Sequence, residues 1–166
     1  MMRCSLRSVF ICIALIAAVS CGDSNKDNSS GSPTSPTPTL NLAGTWSGTV
    51  REVGSTETLL QATWTATQSG SAVTGPFVLS RTGQTIQLNG TLAGTLSGTQ
   101  LALTLTMPAG AFTPIGGPST CSATGTGTSE ATTATSVSST LTLSYAASCV
   151  GTFTPTATSM QLTLAK

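Results

Sequence analysis

The chain has 166 residues, room for one domain plus targeting segments. Charged residues make up 7% of it, against about 25% in an average soluble domain, and a net charge of +1 offers no field for nucleic acid. There is no His, which excludes Ser-His-Asp and Cys-His nucleophile systems and any His-ligated metal. Ser and Thr supply about a third of the residues and aromatics 4%, the composition of a β protein with a neutral, hydroxylated surface.

Residues 1–20 read as a secretory signal peptide. Arg3 and Arg7 form a positive n-region, and Val9 to Val19 is an apolar run too short to span a bilayer. The run ends in Ala18-Val19-Ser20-Cys21, followed by polar Gly22-Asp23-Ser24-Asn25. Small residues before a Cys resemble the lipobox of bacterial lipoproteins, although Ala18 stands where that family prefers Leu. The resemblance implies cleavage before Cys21, acylation of its thiol (a palmitate-type anchor) and attachment to a membrane of the cell envelope; Asp23, at the third rather than the second mature position, points to the outer membrane rather than the inner one. The alternative is a plain secretory signal cut near Ala18, with Cys21 incidental.

Residues 21–39 are rich in Ser, Asn, Pro and Thr and bury no core, so they form a disordered tether after Cys21. From residue 40 onward no segment carries a helical apolar period, whereas period-two alternation recurs throughout. Leu101, Leu103, Leu105 and Met107 share one strand face, as do Leu60, Ala62, Trp64 and Ala66 on another. Turn signals fall at Gly54-Ser55, Ser69-Gly70, Thr82-Gly83 and Ser97-Gly98. Strands are expected near 44–53, 57–68, 72–80, 84–96, 99–107, 119–128, 136–146 and 157–165. The fold class is therefore all-β, an eight-stranded antiparallel up-and-down barrel over 40–166, with a two-sheet β-sandwich as the alternative. Gly90 and Gly94 lie on one face of their strand, where they would permit tight bending, or reflect compositional drift. In an exported domain Cys121 and Cys149 pair as a disulfide, since they sit at neighbouring ends of the sixth and seventh strands.

The first strand opens with Gly44-Thr45-Trp46, and a Gly-x-Trp at this point resembles the lipocalins and the wider calycin group. That resemblance implies a Trp closing the bottom of a barrel, with an Arg of the last strand packed across it. Here the last strand has no Arg, and its sole cation is Lys166. The pattern is also similar to Thr/Gly-rich bacterial lipoproteins of unknown role.

Candidate ligand-lining residues are Trp46, Trp64, Phe77, Leu103 and Tyr145 inside the barrel, with Phe112 and Ile115 in the loop 108–118. The same side chains would equally well fill a core. Glu52, Glu57 and Glu130 are the carboxylates of the folded part. Glu52 and Glu57 flank a hairpin turn, where charges serve solubility rather than paired acid/base catalysis. No catalytic residue, metal site or cofactor is expected. The expectation is a non-enzymatic, monomeric, lipid-anchored envelope protein that binds a small apolar or amphipathic ligand. The alternative is a structural or adhesive protein with a filled barrel.

Overall fold

Alternating apolar and hydroxylated residues dictate the architecture. In the computed structural model, which describes residues 40–129, 132–149 and 159–166, each such run is a strand. They are β1 (Gly44–Glu52), β2 (Leu60–Ser69), β3 (Ala72–Ser80), β4 (Gln87–Ser97), β5 (Gln100–Met107), β6 (Ala123–Ser129), β7 (Ser136–Tyr145) and β8 (Ser159–Ala165). The expected signal peptide, Cys21, the tether and Glu130 lie outside the described residues.

Every strand pairs antiparallel with the next, and β1 pairs with β8 from Ser47↔Ala165 to Glu52↔Met160. That last ladder closes the sheet into a barrel and excludes the sandwich. Alternation then sorts the side chains with period two. On β5, Leu101, Leu103, Leu105 and Met107 are buried while Gln100, Ala102, Thr104 and Thr106 face out. The inward residues of all strands form one core that includes Trp46, Trp64, Phe77, Leu92, Leu141, Leu162 and Leu164. Each fully buried Leu or Phe contributes about 1.5–3 kcal/mol.

The two inward glycines singled out on β4 have no room for a side chain. A Cβ at Gly90 would lie 2.6 Å from the Thr106 carbonyl oxygen, and one at Gly94 would lie 2.8 Å from Leu101 Cδ1. Glycine here lets neighbouring backbone and side chains press into the narrow interior.

Three strand starts differ from the sequence expectation by three residues or more, and that of β2 falls at Leu60 rather than 57. β6 begins at Ala123 rather than 119, because the Cys121 N–H donates to the Pro118 carbonyl (2.9 Å) and holds a turn. β4 begins at Gln87 rather than 84, because the Gln84 N–H bonds the Arg81 carbonyl (3.1 Å). Short 3-10 turns at Thr113–Ile115 and Ala147–Cys149 were not expected.

The up-and-down order gives the barrel two dissimilar ends. One end, the base, holds residues 40–43, the tight β2–β3 and β4–β5 connections, and Lys166. The other end, the mouth, holds the loops 53–59, 81–86 and 108–122 and the start of the β7–β8 connection.

Candidate functional site

The base is sealed from the residues upward. Leu42 is fully buried; its N–H donates to Gln68 Oε1 (2.6 Å), and its carbonyl accepts the indole N–H of Trp46 (2.8 Å). Gln68 Nε2 also donates to the Leu40 carbonyl (3.0 Å), so one amide side chain pins the incoming strand segment across the barrel floor. Lys166 Nζ stands over the Trp46 ring, 5.7 Å from its centroid, and donates to the Ala43 carbonyl. Trp64, with its ring 6.3 Å from that of Trp46, donates its indole N–H to the Leu92 carbonyl (3.1 Å). Both indoles are fully buried and hydrogen-bonded, so they fill the lower interior.

A cystine at the mouth joins Cys121 to Cys149, with Cα atoms 4.6 Å apart and both residues fully buried. It ties the foot of the β5–β6 loop to the turn after β7. That attachment is reinforced by Ser148 Oγ donating to the Thr120 carbonyl (2.8 Å) and the Ala146 N–H donating to the Ser122 carbonyl (2.9 Å). On the anchored loop Phe112 is buried against Tyr145, ring centroids 6.0 Å apart. Burial also raises the Tyr145 phenol above its ordinary pKa.

The remaining part of the mouth is open. A cavity of about 420 Å³ lies between the ends of β2, β3 and β4 and the tip of the β5–β6 loop. That volume falls at the small end of ligand pockets, which run from roughly 300 to 1,000 Å³. The buried Leu79 and Leu88 form its floor, Leu59, Leu60 and Ile86 its half-buried walls, and Ile115, 40% exposed, overhangs it. Arg81 and Gln84 supply its polar rim. A second recess of about 360 Å³ shares Leu59, Leu60 and Arg81 with the first and adds Glu57, Thr58, Gln61 and Thr82.

Of the candidate lining residues, Ile115 borders this cavity. Trp46, Trp64, Phe77 and Leu103 belong to the buried core, and Phe112 and Tyr145 pack together elsewhere at the mouth. The sequence reading missed Leu59, Leu60, Leu79, Arg81, Gln84, Ile86 and Leu88 as a site. The signal available for three of these was positional: Leu60, Leu79 and Leu88 are inward residues at the mouth ends of consecutive strands. Among the described residues no group of three His, Cys, Asp or Glu side chains is placed to hold a metal ion.

The chain matches no protein-family model, and no curated protein matches it in sequence.

Proposed function

We propose that this protein is a lipid-anchored component of a bacterial cell envelope that binds a small apolar or amphipathic molecule at the mouth of its barrel. The observation that carries the reading is the cavity over Leu79 and Leu88, an apolar recess left open to solvent under Ile115. Above that buried floor Leu59, Leu60 and Ile86 are only half-buried and Ile115 is exposed, where folding normally buries such side chains. Leaving them beside a guanidinium and an amide provides a surface on which an apolar ligand gains by leaving water. The filled lower barrel restricts the ligand to the mouth, so it would be held by its end or by a short chain rather than swallowed whole.

The anchor is supported by the Ala18-Val19-Ser20-Cys21 sequence and the Ser/Pro/Thr-rich stretch that follows. We assign it to the outer membrane rather than the inner one, and we take the protein to be a non-enzymatic monomer without cofactor. The second reading, a structural or adhesive protein, is favoured by the packed interior around Trp46 and Trp64 and by the hydroxylated outer face.

Two measurements test the proposal. Cys21→Ser should release the protein from membranes in fractionation, and a protein that stays membrane-bound would remove the anchor. Native mass spectrometry of the exported Cys21→Ser chain after exposure to a lipid extract should show a retained adduct. That adduct should be lost in Ile115→Glu. A clean apo mass would favour the adhesive reading.

A further inference from the structure

Resting on the mouth-binding reading, the geometry points to a particular ligand: a single-chain zwitterionic phospholipid, held by its tail in the apolar cavity and by its headgroup in the adjoining recess. The two recesses differ in chemistry and share a wall. The first is built of Leu59, Leu60, Leu79, Ile86, Leu88 and Ile115, which offer an acyl chain apolar contact and nothing else. The second adds Glu57, Thr58, Gln61 and Thr82, all exposed and polar. Arg81 borders both and therefore stands at the junction, where tail would give way to headgroup.

The charges then set the order of groups. A guanidinium presents a planar fork of donors that matches phosphate or carboxylate oxygens. Neither Arg81 nor Glu57 has a side-chain hydrogen bond or ion pair among the described residues, so both remain available to a ligand. Among the described residues no carboxylate borders the apolar cavity itself, whereas Glu57 borders the polar recess. Read outward from the tail, the site therefore presents apolar wall, cation, then anion. Its complement is acyl chain, phosphate, then ammonium. The cavity has space for one chain, and the filled interior below Leu79 and Leu88 leaves no depth for a second.

The test uses the exported full chain carrying Cys21→Ser and three probes of equal acyl length: a monoacylglycerol, a lysophosphatidate and a lysophosphatidylethanolamine. Calorimetry should rank the ethanolamine lipid tightest and the neutral glyceride weakest. Arg81→Gln should cost the two phospholipids roughly tenfold to a hundredfold in affinity and leave the glyceride unchanged. Glu57→Gln should abolish the advantage of the ethanolamine lipid over lysophosphatidate. Both positions are exposed, so the variants should fold; retained β-sheet circular dichroism checks this. Equal binding of all three probes, indifferent to Arg81→Gln, would overturn the headgroup assignment while leaving the cavity as a binder. Lysophosphatidate binding more tightly than the ethanolamine lipid would overturn the role of Glu57. If none of the probes binds, the mouth-binding reading itself fails.

Discussion

The Lys166 ammonium lies 5.7 Å from the centre of the Trp46 ring while it donates to the Ala43 carbonyl, so β8 is latched across the start of β1 at the barrel base. Gly44 makes this possible in two ways. Its φ of +131° is one that side-chain-bearing residues rarely adopt, and a Cβ there would stand 2.7 Å from Lys166 Cε. Gly44→Ala should therefore cost about 1–3 kcal/mol, and Lys166→Met, which keeps the stem and loses the charge, about 0.5–1 kcal/mol. Thermal melts check the order: a drop of several degrees for the first and a smaller one for the second. A melting temperature unmoved by Gly44→Ala would show the latch to be dispensable.

Trp64 presents a separate case, because its hydrogen bond runs from β2 to β4 through the core. Trp64→Phe keeps an aromatic ring and leaves the Leu92 carbonyl without its indole donor, a loss of about 1–3 kcal/mol before any cavity is counted. Urea titration should show a lower midpoint with an unchanged slope. A changed slope would mean that the substitution altered the compactness of the folded or unfolded chain instead.

The Cys121–Cys149 bridge closes a loop with a sequence separation of 28, worth about 3.5 kcal/mol in the chain-entropy model. It holds a hairpin whose inner face on β6 is Ala123, Gly125, Gly127 and Ser129, with little apolar surface to offer. Cys121→Ser with Cys149→Ser should lower the melting temperature substantially and loosen the β5–β6 loop that carries Ile115. Thiol labelling of the denatured, unreduced chain should find neither Cys121 nor Cys149 reactive.

Tyr145 is the chain's one tyrosine, so tyrosinate absorbance reads it directly. Burial favours the neutral phenol and raises its pKa in the folded state. The sign follows from linkage. The folded chain holds this proton more tightly than the unfolded chain does. The stability it contributes is complete below the unfolded value, about pH 10, and is lost as pH rises through the folded value. Absorbance titration should give an apparent pKa above that of a free tyrosine, and Tyr145→Phe should flatten the alkaline fall in stability. A midpoint at the ordinary value would mean that water reaches the hydroxyl.

The strand count, order and inward faces were legible because a period of two repeats in every strand and glycine marks the turns. Closure was the expectation, but the register that achieves it, Ser47 against Ala165, depends on the coiling of the whole sheet and leaves no local mark. The site was much less legible. Tryptophans suggest a ligand platform in sequence, yet Trp46 and Trp64 found backbone acceptors at Leu42 and Leu92 and became core. The cavity is lined by residues of ordinary type, such as Leu88 and Ile86. Only the packing of the mouth ends of β2, β3 and β4 beneath Ile115 brings them together, and Arg81 carries no mark of a site until that happens. Gln68 and Leu42 were invisible for the same reason, since their bond spans 26 positions.

The pairing of β1 with β8 also sets a timetable. Seven of the eight ladders join strands consecutive in sequence and can zip hairpin by hairpin, whereas the eighth joins the first strand to the last. Its loop-closure entropy is borne only after nearly the whole domain has been ordered, and a few such non-local pairings dominate folding rates. β1 emerges first from any chain made or exported in order, and must wait for β8 before it gains its second partner. Refolding should therefore show a late phase that shortens when β1 and β8 are joined in a circular permutant opened at the β4–β5 turn.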